Sequence, residues 1–546
     1  MSCKRFLMVA ALAAGCAEAE NLDSGTTELA FGIDIDASPG SMILGSSTDR
    51  RWIAYGTECD AGDERTRIKL YDTMTTFTTE LDQGVPCQPG AVVFSPDGWL
   101  VAFGDGQGHL KVHDALWHRT VSVSREGLST IGVVFSPDSQ WFVVASADLE
   151  QQLGTTLDAW ESDLTTHVQI DTHAFFSPFG PGPSNLEFSP DSQRLLYLGD
   201  LGGFPPLGTL KIWQHDTGTT RVLATGVPAT TYAIRADWQY VAYLRDATVT
   251  TPDAPTFVGT FVVRHLATNQ TRVIETAKNV RPLGFAGDKL LYAVYGAPTP
   301  VAPLDLKAHH LVHASTTVID SGVFAGYGPN PIAISPDGSR VAYTRNLDQL
   351  TFTAELRVAN TVSPAQPRTI APRVIPINAY GWLDGGRKLA YLHDPTSTFV
   401  GATTGTLSAW DAAGHGVVQL GQDVTQIGLA FDSTGSELVF AGNYDMAQAT
   451  GDLRAWNARS GAKRLLGRDA AVISVQRSPD LRTAGYLQLQ EPPTDDSPPG
   501  TLLRISRIVG LQRTIRVDEN VTSFAMGWFG RVVYTTSTGV VDAITY

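Results

Sequence analysis

The sequence predicts an all-β protein built from about eleven copies of one four-stranded sheet. The first observation is a repeated unit in which two β-rich runs flank a Ser-Pro-Asp turn, as in VVFSPDGWLVAFGDG (92–106) and IAISPDGSRVAYTR (332–345). The second is the spacing, because the turn aspartate recurs every 41 to 53 residues over the first seven copies. The third is the lack of the 3.6-residue apolar periodicity that helix-pair repeats need. Repeats of this length and strand content are typical of β-propeller blades.

The Ser-Pro-Asp segment joins the first two strands of each copy. In Ser95-Pro96-Asp97-Gly98, proline fixes φ at the second position of a type I turn, aspartate suits the third position and glycine suits the fourth. We therefore interpret these aspartates as structural, since turn geometry explains their recurrence and no D-x-D-x-D-G calcium loop accompanies them. The predicted turn aspartates are Asp49, Asp97, Asp138, Asp191, Asp237, Asp288, Asp337 and Asp480.

A third strand with a shared ending follows each pair, as in GTLKIWQ (208–214) and GTLSAWD (405–411), and a fourth run closes the copy. The tryptophans of these endings are predicted to pack between neighbouring sheets rather than to form a ligand cage. They are Trp160, Trp213, Trp410 and Trp456. Looser copies follow at 380–392, 429–442, 475–487 and 526–536.

These FSPDG-containing copies resemble the TolB-like, or PD40, propeller repeats of TolB, tricorn protease and the prolyl oligopeptidase class, over residues 30–546. The third-strand endings also resemble WD40 repeats, but the Gly-His dipeptide of that family is missing in register. The resemblance implies a β-propeller. It does not imply peptidase activity here, because the sequence contains no G-x-S-x-G nucleophile elbow.

Eleven copies exceed the four to eight blades of an ordinary propeller. We therefore predict two propellers in tandem, with about six blades in 27–323 and about five in 324–546; one large ring is the alternative. The last copy is one strand short, and the segment 27–35 is a strand without a sheet. Pairing the two would complete the last blade.

The first residues predict export. Lys4 and Arg5 precede a short apolar run, Phe6 to Gly15, which is too short to span a bilayer and is typical of a secretory signal. The residues 13–16, Ala-Ala-Gly-Cys, resemble the lipobox of bacterial lipoproteins. This resemblance implies a signal peptide at 1–15, a lipidated Cys16 and a tether at 16–26; ordinary cleavage near 17–19 is the alternative. Since no aspartate follows Cys16, the expected place is the outer membrane, facing the periplasm or the surface.

Two further cysteines, Cys59 and Cys87, are a disulfide candidate in an exported chain. In an antiparallel meander, the loop between the second and third strands and the link to the next sheet emerge on one face. Cys59 falls in the first kind of loop and Cys87 in the second. Two unpaired thiols are the alternative.

No catalytic, metal or cofactor motif is recognised. The run HHLVH (309–313) aligns with a third strand, where His309 and His313 would lie about 13 Å apart, too far to share one metal ion. An enzyme of the lyase, quinoprotein or hydrolase type would need polar residues on several first strands. These read VVF, LEF, IAI and LAF, with Glu187 the lone exception.

The predicted function is that of a non-catalytic envelope lipoprotein, a scaffold or receptor that binds a protein or an envelope polymer. Recognition is assigned to a central funnel or to Pro-rich loops on one face. With a net charge of -15 and no basic cluster, nucleic acid is excluded as a partner, and membrane contact is expected through the lipid alone. A propeller enzyme and an accessory sensor of a separately encoded peptidase are the alternatives. The assigned loops are 202–208, 250–259, 297–303 and 490–500.

Overall fold

The computed structural model consists almost entirely of β-strands. Two three-residue 3-10 segments, Asp384–Gly386 and Val472–Ser474, are its helical elements in the described part of the chain. Within that part, no helix is long and apolar enough to cross a membrane. The described residues are 31–544, except 39, 60–65, 85–86, 88–90, 106–108, 126, 149–152, 176–185, 203–206, 230, 251–256, 297–302, 325–331, 362–365, 377–378, 398–402, 415, 427–428, 430–434, 479–481, 490–500, 509–513, 528–530 and 537.

The strands form successive antiparallel meanders, which we call units 1 to 11 in chain order. Within a unit, the turns between strands one and two and between strands three and four emerge on one side, the turn face. The loops between strands two and three, and the links to the next unit, emerge on the opposite side, the loop face. The first four units contain β2 (Met42–Ser46), β3 (Trp52–Thr57), β4 (Arg67–Asp72) and β5 (Thr78–Gln83); β6 (Val92–Phe94), β7 (Leu100–Gly104), β8 (Leu110–Asp114) and β9 (Arg119–Ser122); β10 (Ser129–Phe135), β11 (Trp141–Asp148), β12 (Leu153–Glu161) and β13 (His167–Ala174); and β14 (Leu186–Phe188), β15 (Arg194–Gly202), β16 (Leu207–Gln214) and β17 (Thr219–Pro228).

Units 5 and 6 share one long strand, β21, whose first half pairs back to unit 5 and whose second half begins unit 6. Units 5 to 8 contain β18 (Tyr232–Ile234), β19 (Tyr240–Val249), β20 (Phe257–His265) and β21 (Thr271–Ala286); β22 (Lys289–Tyr295), β23 (Leu304–His310) and β24 (Thr316–Phe324); β25 (Ile332–Ile334), β26 (Arg340–Asp348), β27 (Thr353–Asn360) and β28 (Arg368–Val374); and β29 (Tyr380–Leu383), β30 (Lys388–Ser397), β31 (Thr404–Asp411) and β32 (Val417–Thr425).

The last three units include the N-terminal strand. Unit 9 has three described strands, and residues 430–434 before them lie outside the described part. Units 9 and 10 contain β33 (Glu437–Asp445), β34 (Thr450–Asn457) and β35 (Lys463–Ala471); and β36 (Gln476–Arg477), β37 (Thr483–Leu489), β38 (Thr501–Arg507) and β39 (Thr514–Glu519). Unit 11 contains β40 (Val521–Met526), β41 (Arg531–Thr536), β42 (Gly539–Ile544) and, as its outer strand, β1 (Phe31–Asp36).

Burial differs systematically across a unit. The second strand β3, WIAYGT, is buried at every position, as expected for a strand covered on both faces. The fourth strand β13, HVQIDTHA, is mostly exposed. The apolar second strands therefore lie inside the molecule and the polar fourth strands lie at its edge.

Each apolar core cluster lies between two successive units. Trp52 and Leu70 of unit 1 pack with Val101 and Phe103 of unit 2. The same arrangement joins each later pair. Sheets that bury both faces against their neighbours in this way form a propeller, so the predicted all-β propeller fold is confirmed.

Two apolar clusters lie at places where two separate propellers would have no contact between units, namely between units 6 and 7 and between units 11 and 1. Unit 6 packs on unit 7 across residue 324, with Leu291 and Leu306 against Val341 and Tyr343. Unit 11 packs on unit 1, with Ala525 and Val533 against Tyr55 and Tyr71.

The first described strand pairs with the last. β1 runs antiparallel to β42, with Phe31 opposite Ile544 and Gly32 opposite Ala543. Because β42 is a third strand that ends on the turn face, β1 begins on the turn face. The segment predicted to complete the last blade was 27–35, of which 27–30 lie outside the described residues.

Candidate functional site

The repeated turn aspartates stabilise their own turns. Asp97 accepts hydrogen bonds from the Ser95 hydroxyl at 2.6 Å and from the backbone N–H of Trp99 at 3.1 Å. Asp49, Asp138, Asp191 and Asp337 make the same pair of contacts. The turns also join units, because the Ser139 hydroxyl accepts the backbone N–H of Asp97 at 3.0 Å.

Two of the other predicted turn aspartates differ from this pattern, and the third is not described. Asp237 accepts a backbone N–H from Gln239 and pairs with Arg235 at 3.1 Å. Asp288 lies in a tighter turn and faces Arg235 of the preceding unit at 3.5 Å. Asp480 lies outside the described residues.

The loop face of unit 1 carries a disulfide between Cys59 and Cys87, whose Cα atoms are 5.5 Å apart. Cys59 follows the second strand of unit 1, and Cys87 lies in the link to unit 2. Gly56 makes room for the bridge, because an added Cβ would lie 2.5 Å from the Cys87 sulfur and 3.0 Å from the Cys59 sulfur. The bridge therefore ties the link between units to the loop within unit 1.

Partly buried carboxylates form a second repeated feature, at the contact between one fourth strand and the next unit. Asp171 on β13 accepts hydrogen bonds from the Tyr197 hydroxyl at 3.1 Å and the Lys211 ammonium at 2.8 Å, both in unit 4. Glu275 repeats this with Tyr292 at 3.0 Å and Lys307 at 2.8 Å.

Two more contacts between units follow the same scheme. Asp320 accepts from the Tyr343 hydroxyl at 2.8 Å and pairs with Arg357 at 3.2 Å. Asp36 accepts from Tyr55 at 3.2 Å and from Lys69 at 2.6 Å, across the contact between units 11 and 1.

The protonation of these clusters follows from burial and pairing. Burial, as the largest effect, raises the pKa of Tyr197 and Tyr343 far above the usual value, so both hydroxyls stay protonated and donate. Burial alone would also raise the pKa of Asp171, but the hydrogen bonds from Lys211 and the His173 backbone outweigh it, and the pKa is lowered.

Such sets contain the residue types of acid and base catalysis, yet each side chain already bonds a partner between two sheets. Lys211 and Asp171 are 11% and 10% exposed. We therefore interpret the clusters as connections between units. The sequence does not reveal these carboxylates, because a fourth strand and the following second strand lie some twenty residues apart and carry no motif between them.

The third-strand aromatic residues pack between units, as predicted from sequence. Trp213 contacts Trp141 of the preceding unit, with ring centroids 5.1 Å apart. Trp160, Trp410 and Trp456 belong to clusters shared with the unit before them.

His309 occupies the equivalent third-strand position in unit 6, where it is 3% exposed and its Nδ1 is hydrogen-bonded to the Thr316 hydroxyl at 2.9 Å. The strand β23 ends at His310, and a turn brings the His313 ring to 4.3 Å from that of His310. β23 therefore does not extend through His313, as the expected spacing had assumed. Among the described residues, no group of three His, Cys, Asp or Glu side chains could hold a metal ion.

The first strands contribute one acidic residue among apolar neighbours. Val93 on β6 is 42% exposed, and Ala233 and Ala333 occupy the matching positions of units 5 and 7. In unit 4 this position is Glu187, which pairs with Leu196 in the ladder. Burial raises the pKa of Glu187 to about 7, and its charge in turn raises the pKa of Tyr232, second to burial.

The Pro-rich loops assigned to recognition lie mostly outside the described residues, but their flanking strands fix where they start and end. β15 ends at Gly202 before β16 at Leu207, and β37 ends at Leu489 before β38 at Thr501. All four connect a second strand to a third strand, so all four start and end on the loop face.

Neither a family model nor a curated protein matches this chain. Solved structures do. A eukaryotic initiation factor is 12% identical over 77% of this chain and 97% of its own, with a TM-score of 0.42. An oligogalacturonate lyase from Vibrio parahaemolyticus is 12% identical over 64% of this chain and 94% of its own, with a TM-score of 0.34.

A putative TolB from Agrobacterium tumefaciens is 14% identical over 48% of this chain and 91% of its own, with a TM-score of 0.25. Structures similar to this chain thus include both TolB and an enzyme.

Proposed function

We propose that this chain is an exported, lipid-anchored propeller that binds a protein or an envelope polymer on its loop face, and acts as a scaffold or receptor. The supporting observation is that the first described strand and the Pro-rich loops begin on opposite faces of the fold. The first described strand, Phe31–Asp36, begins on the turn face, whereas the four Pro-rich loops start and end on the loop face. Loops on a rigid scaffold commonly carry recognition.

The proposed anchor is Cys16. Fourteen residues lie between it and Phe31, and a chain of that length reaches at most about 50 Å. A lipid on Cys16 would hold the turn face towards an outer membrane and direct the loop face away from it. Mass spectrometry of the N-terminal peptide from membranes tests this: we expect a diacylated or triacylated Cys16, and an unmodified peptide starting at 17–20 contradicts it.

We also infer that the units form one ring of eleven blades rather than two propellers in tandem. In support, unit 6 packs on unit 7 and unit 11 packs on unit 1. Two separate rings would instead need contacts between units 1 and 6 and between units 7 and 11. Averaged electron micrographs viewed down the ring axis should show eleven blades around one channel, and two smaller rings would reject the inference.

Affinity capture from the envelope tests the binding role. The lipidated chain is compared with a variant whose 490–500 loop is replaced by a short Gly-Ser linker, and with a second variant changed in the same way at 251–256. Loss of capture in either variant assigns recognition to that loop. Equal capture by the wild type and by a variant lacking all four loops rejects the loop face as the binding surface.

The second candidate is a propeller enzyme, and Glu187 is the observation that favours it. A first-strand carboxyl with a pKa of about 7 can act as a general acid or base at neutral pH. Assays of wild type and Glu187→Gln on acidic polysaccharides and peptides, with metal analysis of the purified chain, separate the candidates. Turnover that Glu187→Gln removes would favour the enzyme.

A further inference from the structure

Four exposed apolar side chains lie at the turn face of units 1 and 2. Among the described residues, the exposed large apolar side chains include two aromatic ones, Phe77 at 75% and Trp117 at 75% exposure. Each has an exposed apolar neighbour in the same turn, Met74 at 74% and Leu116 at 55%. Both turns join a third strand to a fourth strand. We call these four side chains the apolar tip.

Both turns are held in fixed shapes that present these side chains to solvent. Asp72 accepts the backbone N–H of Met74 at 2.8 Å, and its own N–H donates to the Phe77 carbonyl at 2.9 Å. Asp114 accepts the N–H groups of Leu116 at 2.9 Å and Trp117 at 3.1 Å. The exposure of these side chains is thus a property of ordered turns.

The two turns are also fixed relative to each other. Arg51 pairs with Asp72 at 2.9 Å, and its guanidinium lies 4.5 Å from the ring centroid of Trp99 in unit 2. The Trp99 carbonyl accepts the backbone N–H of Ala115 at 2.9 Å, next to Leu116. Arg51 and Trp99 therefore connect the two halves of the apolar tip.

Equivalent turns in other units show that the fold does not require exposed apolar residues here. Asp411 and Asn457 cap their turns in the same way, but those turns carry Ala413, Gly414 and Ser460. In units 3 and 5 the apolar residue of the turn points inward, with Leu164 4% and Leu266 3% exposed. The turn of unit 6 exposes a single apolar side chain, Val312 at 65%. Among the described turns between third and fourth strands, a pair of exposed apolar side chains that includes an aromatic ring therefore occurs in units 1 and 2.

The path of the chain indicates what the apolar tip contacts. β1 begins on the turn face as the outer strand of unit 11, and unit 11 packs on unit 1, which carries Met74 and Phe77. The segment that leads to Cys16 thus enters the fold on the same face as the apolar tip and one unit away. Aromatic side chains such as tryptophan are favoured at the boundary between water and lipid.

We propose that the apolar tip inserts into the surface of the lipid bilayer and orients the ring on the membrane, beyond contact through the lipid anchor alone. The direction of approach rests on the proposed anchor at Cys16, but insertion itself depends only on the four side chains. It can therefore be measured without the lipid.

The test uses the unlipidated chain 17–546, which contains every residue that the structure describes, and flotation with vesicles of phosphatidylethanolamine and phosphatidylglycerol in a 3:1 ratio. We expect the wild type to float with the vesicles and the Phe77→Ser/Trp117→Ser variant to bind at least tenfold more weakly. Leu350→Ser is the matched control, because Leu350 is 98% exposed in a loop between a second and a third strand, on the loop face. It should bind as the wild type does.

A second readout does not depend on affinity. Trp117 is the most exposed tryptophan in the described part of the chain, so iodide should quench its emission in solution and vesicles should protect it. Equal flotation of the double variant and the wild type overturns the proposal, as does absence of binding by either. A wild-type dimer that the double variant abolishes would assign the tip to a second copy and also overturn it. An unmodified Cys16 with intact flotation would reject only the anchor.

Discussion

Lys69 on the third strand of unit 1 donates a hydrogen bond to Asp36 on the outer strand of unit 11, with 2.6 Å between Nζ and Oδ2. Asp36 ends the first described strand and Lys69 follows 33 residues later, so the bond crosses the contact between the first and last units. Tyr55 donates to the same carboxylate at 3.2 Å. These bonds join unit 1 to the outer strand of unit 11.

We expect Asp36→Ala to destabilise the fold by about 1 to 3 kcal/mol, because it leaves the largely buried Lys69 ammonium without its carboxylate. Chemical denaturation measures the difference. The matched control is Glu80→Ala, which removes an exposed ion pair with Arg67 and should change stability by less than about 1 kcal/mol. Equal effects of the two substitutions would show that the Asp36 contact between units 11 and 1 stabilises the fold no more than an exposed ion pair does.

Removal of the Cys59–Cys87 bridge should lower stability by about 3 to 4 kcal/mol, from the entropy of a loop closed over 28 residues. We expect the Cys59→Ser/Cys87→Ser variant to unfold at lower denaturant concentration than the oxidised wild type. The reduced wild type should match the variant. Identical unfolding of oxidised and reduced protein would mean that the bridge does not form in the purified chain.

Glu187 should make stability fall as the pH rises through neutrality. Its pKa is about 7 in the folded chain, whereas the ordinary value is 4.5, so the folded state binds more protons between these values and loses stability as they dissociate. The full effect, on the order of 3 kcal/mol, is reached above pH 7. We expect Glu187→Gln to be more stable than the wild type at pH 8 and equal to it at pH 4.5.

His113 acts in the opposite direction over part of this range. Burial lowers its pKa to about 4, so its contribution to stability rises with pH between about 4 and the usual histidine value. The measurement is therefore the difference between Glu187→Gln and the wild type at each pH. A difference that does not change between pH 4.5 and 8 would mean that Glu187 titrates at its ordinary value.

Much of the fold could be predicted because residues close together in the sequence determine the strands and turns of each unit. Ser95 and Asp97 specify a turn through side-chain hydrogen bonds within five residues. The apolar composition of the second strands predicts that they are buried. Contacts between units carry no such signal. The pairing of Asp171 with Lys211 depends on which sheets become neighbours in space. The pairing of β1 with β42 could be predicted, because the last copy lacks one strand and the first strand lacks a sheet. Sequence favoured two propellers because eleven copies exceed the usual number of blades. The packing of unit 6 on unit 7 and of unit 11 on unit 1, which supports our proposal of one ring, leaves no local pattern.

Gly467 shows how tightly one of these contacts between units is packed. An added Cβ at this position would collide with the hydroxyl oxygen of Tyr486, a fully buried side chain in the next unit. That hydroxyl donates to the Leu466 carbonyl at 2.9 Å. We expect Gly467→Ala to destabilise the fold by about 2 to 4 kcal/mol, because the ring must move and its buried hydrogen bond is lost.

A double-mutant cycle with Tyr486→Ala identifies the cause. If the clash with the ring is responsible, Gly467→Ala should cost much less in the Tyr486→Ala background than in the wild type. Gly104→Ala is the matched control, since an added Cβ there would lie 4.0 Å from the His109 carbonyl oxygen, and we expect little change. Additive effects of Gly467→Ala and Tyr486→Ala would contradict a direct contact between the two positions, and with it the packing of unit 9 on unit 10.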